Sequence, residues 1–203
     1  MTDTANLLAG ARRIAVYGPS GSGKSTVARR IGAALRLPVV ELDALFHQPN
    51  WVPTPEDEFR AEVANVLDSH TSGWVCDGNY HMVRDLVLAR AEAVVWLKLP
   101  FRVVYPRLVW RTVSRAWKKE ELWNTNRESW RLSFTSRESI LLWGITHWRA
   151  HFRGVGASIA EHAPDVLLVE LRSAREVLRF LAGLAAANRQ RIANPSTSSG
   201  QAP

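Results

Sequence analysis

The chain is poor in cysteine. Cys76 is the single one among 203 residues, which excludes an intrachain disulfide and a cysteine-built zinc site. It has no apolar run of the roughly 18–20 residues needed to cross a bilayer. Asp3 and the pair Arg12–Arg13 flank only a short apolar stretch, so the N-terminus does not read as a secretory signal, and a cytoplasmic location is the expectation. There is no internal repeat. His47, His81 and His147 lack metal-ligand spacing and read as structural or substrate-facing. With 46% hydrophobic and 22% charged residues, a largely disordered chain is excluded. The length fits one domain with a small insertion.

What is abundant is positive charge, and it is localised. The net charge of +7 resides in residues 102–153, which carry 11 Lys and Arg against 4 Asp and Glu. Six of the nine tryptophans also lie there: Trp110, Trp117, Trp123, Trp130, Trp143 and Trp148. A basic, aromatic-rich segment suits nucleic acid, a membrane surface or a lid over a phosphate-bearing ligand.

Apolar runs at Arg13–Tyr17, Pro38–Leu42, Gly73–Asp77, Ala93–Leu97 and Val166–Val169 predict five short strands. Helical patterns separate them: about Lys24–Leu35, about Pro55–Leu67 with an acidic first turn, a long basic region after Pro100, and a last helix that Ser173 can cap, to about Leu184. The alternation predicts an α/β fold with a parallel sheet, whose ligands bind beyond the strand C-termini. From Asn194 the tail is low in complexity. One domain is expected over 1–187, with an inserted lid at about 112–140 and a disordered tail over 188–203.

Chemistry concentrates at the strand ends. Gly18-Pro19-Ser20-Gly21-Ser22-Gly23-Lys24-Ser25 fits G-x-x-x-x-G-K-[ST] between a strand and a helix. Its glycines let backbone N–H groups turn inward around phosphate oxygens, and the helix N-terminus adds a favourable dipole. Lys24 would meet the β/γ-phosphates of ATP, and the Ser25 hydroxyl would ligate Mg²⁺. Thr26 reads as a further phosphate contact or as packing in the first turn. Asp77 is placed to hold a magnesium-bound water, or to stabilise the Gly78-Asn79 turn. Asp43 suits an acceptor hydroxyl, a water on Mg²⁺, or a capping role. Arg107 and Arg111 are four apart and share a helix face, as do Arg149 and Arg153; two such helices could bring four guanidiniums onto one triphosphate. Trp110, Trp117 and Trp143 are expected as core between helices.

With these residues placed, the sequence resembles the P-loop kinase family that includes adenylate kinases. Within it, the chain is similar to the adenylate kinase-like, or DNA topology-modulation (FlaR-like), proteins. The resembling stretches are Ile14–Ser25, Glu41–Leu45 with Trp51, Trp74–Tyr80, Ala93–Pro100, Asn126–Ser129 and Leu171–Ser173. The resemblance implies a three-layer α/β/α fold with a five-stranded parallel sheet and a helical, arginine-rich lid. It puts Arg107 and Arg111 where the lid begins and Arg149 and Arg153 where it returns. Asn79 and Arg84 fall on the acceptor side, Arg84 near the place where nucleotide kinases hold an acceptor phosphate. Lys98 stands where relatives often carry aspartate.

The expected function is therefore transfer of the ATP γ-phosphoryl group, with Mg²⁺, to a small acceptor, a nucleotide or nucleoside being favoured. The alternative is a nucleic-acid-binding, topology-modulating protein in which ATP is regulatory. A kinase needs its arginines to converge on the P-loop; a DNA binder needs them spread over an exterior face.

Overall fold

Five short apolar segments lie side by side as one parallel sheet. The computed structural model describes residues 2–118, 124 and 148–193. In chain order these form α1 (Thr2–Leu8), β1 (Arg13–Tyr17), α2 (Lys24–Leu35), β2 (Val39–Glu41), α3 (Leu42–Phe46), α4 (Glu56–Ser69), β3 (Trp74–Asp77), α5 (Arg84–Arg90), β4 (Ala93–Leu97), α6 (Phe101–Lys118), α7 (Trp148–His162), β5 (Leu167–Leu171) and α8 (Ala174–Ala193), with single 3₁₀ turns at Pro49–Trp51 and His81–Val83. The strand order is β2-β3-β1-β4-β5.

The strands read as continuous apolar runs because helices cover both faces, as parallel sheets require. Side chains alternate between those faces. Ile14 and Val16 of β1, with Val75, Val95 and Leu97, pack toward α1, α2 and α8. Ala15 and Tyr17, with Trp74, Cys76, Val94 and Trp96, pack toward α4, α5 and α7. Burying each large apolar side chain contributes roughly 1.5–3 kcal/mol relative to leaving it exposed. The result is the three-layer α/β/α arrangement, with β1 at the centre. Among the described residues no helix is long and apolar enough to cross a membrane.

Several boundaries differ from expectation. β2 ends at Glu41, and α3 starts at Leu42, so Asp43 sits on a short helix rather than at a strand tip. β5 runs two residues further than expected, to Leu171. Ser173 caps α8: its hydroxyl accepts from the Glu176 N–H and donates to the Glu176 carboxylate, which also accepts from the Arg172 N–H. That helix continues to Ala193, so residues 188–193 of the expected tail are helical. The extension is held by burial of Phe180, Leu184 and Ala187 and by the Asn188 amide, which donates to the Ala34 carbonyl. Residues 194–203 lie outside the described residues. So does most of the expected insertion, whose first residues, 112–118, prolong α6.

Trp110 and Trp117 overturn their expectation, standing 74% and 79% exposed. Val104, Leu108 and Thr112, at four-residue spacing, are the buried face of α6, and the two indoles lie off that stripe. Trp143 lies outside the described residues.

Candidate phosphate and acceptor site

The loop from Gly18 to Gly23 joins the centre of the sheet to the N-terminus of α2. Gly21 has φ +85°, and a Cβ there would come within 2.8 Å of the Val104 carbonyl oxygen on α6. Only glycine combines that backbone with that approach. The Pro19 carbonyl accepts from the Ser22 N–H at 3.1 Å and lies 3.4 Å from the Lys24 ammonium. Gly23 precedes α2 with no side-chain cap, and the first turn carries no acid. The positive end of the α2 dipole and its N–H groups therefore remain for an anion.

This loop opens on a cleft of about 400 Å³ lined by Ser20, Gly21, Gly23, Lys24, Ser25 and Thr26 on one side, with Arg107 and Arg111 of α6. Arg29, Asp43, His47, Trp51 and Tyr80 complete the lining. The sequence-expected pair Arg107 and Arg111 thus reaches the P-loop. Arg153 is exposed on α7 and is not among the lining residues; the Arg149 side chain lies outside the described residues. Gly18, Pro19 and Ser22 shape the loop from behind.

Asp77 lies behind the cleft lining, 5% exposed at the tip of β3, next to β1, with the Ser25 hydroxyl beside its carboxylate. Gly78 follows at φ +149°, where a Cβ would meet the Leu42 side chain at 2.6 Å. Burial pushes the Asp77 carboxyl above the usual carboxylate range, against the opposing pull of Lys24 and Ser25. Burial likewise holds Lys24 below the usual lysine range, against the attraction of Asp77 and Asp43. Desolvation outweighs attraction in both, as expected for a buried pair without further ligands. Oδ1 of Asp77 is buried with no hydrogen-bond partner. An unpartnered carboxylate oxygen beside a serine hydroxyl at a phosphate loop fits Mg²⁺, which takes one or two protein oxygens and completes its shell with phosphates and water. Among the described residues no cluster of three His, Cys, Asp or Glu gathers to bind metal unaided.

At the other end, the Tyr80 hydroxyl donates to Asp43 Oδ1 at 2.6 Å and lies 3.4 Å from His47 Nε2. The Tyr80 ring packs in a three-ring cluster with Phe46 and Phe59, centroids 4.6 and 5.3 Å away. Burial, reinforced by the Asp43 charge, pushes the phenol well above its ordinary range, so it stays a donor. Burial lowers the His47 pKa, against Asp43. Trp51 stands edge-on to His47, 5.1 Å between centroids. The Arg29 guanidinium pairs with Glu41 at 2.8 Å on the rim.

Asn79 and Arg84, both expected to meet the acceptor, are brought to each other. The Arg84 fork donates to Asn79 Oδ1 at 3.0 and 3.2 Å, and its remaining nitrogen donates to the Gly154 carbonyl and Ser158 hydroxyl of α7, each at 3.1 Å. Neither lines the cleft. Sequence reading missed Tyr80, Trp51 and Arg29 as lining residues. Tyr80 carried a signal, since it ends the Asp77-Gly78-Asn79-Tyr80 run.

No family model matches the chain. Among curated proteins, the chain is 35% identical over 95 residues to the shikimate kinase of Corynebacterium diphtheriae, covering 41% of this chain and 55% of that one. It is 33% identical over 112 residues to the shikimate kinase of Bradyrhizobium diazoefficiens, covering 49% of this chain and 54% of that one. The chain therefore spans about half the length of the curated relatives it matches. Among solved structures, a gluconokinase from Sinorhizobium meliloti 1021 matches with a TM-score of 0.52 at 20% identity, covering 93% of this chain and 98% of that one. The fold is that of P-loop kinases.

Proposed function

We propose that the chain is an ATP- and Mg²⁺-dependent phosphotransferase that moves the γ-phosphoryl group to a hydroxyl of a small acceptor. The observation that carries this is the convergence of Lys24, Arg107 and Arg111 with the uncapped N-terminus of α2 on a cleft that also holds Asp43. The partial likeness to shikimate kinases supports the same class. It also favours this reading over nucleic-acid binding, which needs the arginines spread on an exterior face. The narrower likeness to adenylate kinase-like topology-modulation proteins rests on the Asp77–Tyr80 and Asn126–Glu128 stretches.

In this reading the Gly21–Ser25 amides and Lys24 bind the β- and γ-phosphates. Ser25 and Asp77 hold Mg²⁺, the aspartate through water; the ion, when bound, neutralises phosphate charge. Arg107 and Arg111 stabilise the charge that develops as the bond to ADP breaks and the bond to the acceptor oxygen forms. Asp43 accepts the proton that the acceptor hydroxyl loses. The part of the insertion that follows α6 acts as a lid excluding water from the cleft. A nucleoside monophosphate would need a cation for its phosphate, and Arg84 is engaged by Asn79, Gly154 and Ser158. That engagement, with Arg29 of the cleft paired to Glu41, supports a small alcohol as the acceptor. Calorimetry with MgATP tests the reading: wild type binds, Lys24→Ala binds at least about tenfold more weakly, and equal binding by both would remove it.

A further inference from the structure

The acceptor end of the cleft is chemically unlike its phosphate end. Lys24, Arg107 and Arg111 belong to the P-loop and to α6, which packs against it at Gly21. The acceptor end instead presents one carboxylate, one imidazole, one phenol and one indole, Asp43, His47, Tyr80 and Trp51, with the guanidinium of Arg29 at its rim paired to Glu41.

We propose that Asp43, His47, Trp51 and Tyr80 form an acceptor subsite for an uncharged, hydroxyl-bearing ring, such as a cyclitol, a sugar or a nucleoside. The proposal rests on the phosphotransferase reading and specifies its substrate class.

Three observations carry it. The first is the Tyr80–Asp43 bond. At 2.6 Å, with the phenol ring packed against both Phe46 and Phe59, it fixes Oδ1 and orients Oδ2 for a second donor, the acceptor hydroxyl. The single phenol proton is spent on Asp43, so His47 Nε2–H is the donor in the longer 3.4 Å contact. Tyr80 is thus a positioning residue acting through Asp43.

The second is the presentation of Trp51. Asn50 and Trp51 have φ of +64° and +60°, a left-handed backbone that is uncommon for non-glycine residues and costly for a bulky one. The surrounding loop is closed by Gln48 N–H to the Val52 carbonyl and Thr54 N–H to the Phe46 carbonyl, both at 2.8 Å, and by the Thr54 hydroxyl on the Leu45 carbonyl at 2.9 Å. The backbone is held in a strained turn that puts the indole in the cleft wall. An apolar aromatic face beside a fixed carboxylate suits a ring with a C–H face and a hydroxyl edge.

The third is charge. Asp43 supplies the formal charge of this cluster, and the guanidiniums of this part of the molecule are already bonded: Arg29 of the cleft rim to Glu41, Arg60 to Asp85 and the Met82 carbonyl, Arg84 to Asn79, Gly154 and Ser158. A carboxylate acceptor placed here would face the Asp43 carboxylate.

The test measures ADP release from MgATP with myo-inositol, glucose and adenosine as neutral probes, and shikimate and gluconate as anionic ones. At least one neutral probe is expected to be phosphorylated with kcat/KM about tenfold above both acids. Trp51→Ala is expected to raise KM for that probe up to about tenfold, the worth of an aromatic face. Tyr80→Phe is expected to lower kcat, and to cost nothing further when added to Asp43→Asn, which marks action through Asp43. Preference for shikimate or gluconate would overturn the proposal, as would an unchanged KM in Trp51→Ala, additive losses in the double variant, or MgATP binding with transfer to no neutral probe. Absence of MgATP binding by the wild type would instead remove the phosphotransferase reading itself. Retained MgATP binding by each variant shows that it folds.

Discussion

The Ser25 hydroxyl lies beside the Asp77 carboxylate, bringing the first turn of α2 to the tip of β3. The pairing sets the loop that would hold phosphate next to the acid that would hold the metal, while Asp77 Oδ1 stays buried and unpartnered. That carboxylate costs stability, because burial raises its pKa above the unfolded value. Such a group binds more protons folded than unfolded, so its cost is absent below the ordinary carboxylate pKa of about 4 and develops as pH rises through the folded value. Asp77→Asn is expected to stabilise the nucleotide-free protein by about 1 kcal/mol at pH 7 and to give no gain below about pH 4. It should also abolish the extra thermal stabilisation of Mg²⁺ plus ATP over ATP alone. Thermal unfolding with and without the ion checks both; a destabilised variant that keeps its Mg²⁺ response would contradict the assignment.

The two cleft arginines should differ in weight. Arg111 is half-buried and Arg107 exposed. A less solvated guanidinium acts through a lower effective dielectric. Arg111→Ala is expected to lower kcat about a hundredfold and Arg107→Ala about tenfold. Steady-state ATP turnover by the two variants measures this, and an equal or inverted order would refute it.

Arg84 is expected to be architectural. Its fork spans from Asn79 to α7, and removing it takes a charged donor from three half-buried acceptors. Arg84→Ala should lower unfolding free energy by about 2–3 kcal/mol. Urea denaturation reads this directly. Unchanged stability with weakened acceptor binding would return Arg84 to the acceptor role expected from the sequence.

His47 should produce a pH-dependent stability in a window of its own. Burial lowers its pKa below the unfolded value, against the opposing charge of Asp43, with Tyr80 in contact. The unfolded chain therefore binds the proton first, and stability is lost as pH falls from about 6.5 through the folded value. The slope cannot exceed about 1.4 kcal/mol per pH unit. His47→Gln is expected to flatten it between pH 6.5 and 5. Urea midpoints across that window distinguish the two proteins; identical slopes would exclude His47 as the source.

The parts of this molecule that are legible in its sequence are those whose physics is local. α2 spans Lys24–Leu35 as its 3.6-residue apolar spacing indicates, and β4 spans Ala93–Leu97 because a buried parallel strand is one apolar run. The phosphate loop is recognisable because Gly21 and Gly23 take left-handed backbone, φ +85° and +91°, inside one short motif. The parts that are not legible depend on distant partners. Tyr80 meets Asp43 across 37 positions, and Arg84 meets Ser158 across 74. Neither contact leaves a pattern in its own neighbourhood. Trp110 was expected in the core on hydrophobicity alone, but the packed stripe of α6 runs through Val104, Leu108 and Thr112. The reach of α8 to Ala193 depends on a carbonyl offered by Ala34 on another helix.

The strand order also divides labour along the chain. The cradle for phosphate comes from β1 with α2 and from α6 after β4, whereas every acceptor-side residue, from Asp43 to Tyr80, lies in the stretch between α2 and β4 that builds the sheet edge of β2 and β3. On the proposed function, acceptor choice is thus encoded in one uninterrupted segment, which also carries Asp77 for the metal. One cassette of about fifty residues, exchanged with Asp77 kept in place, would redirect the chemistry to another alcohol while the machinery for ATP stays as it is.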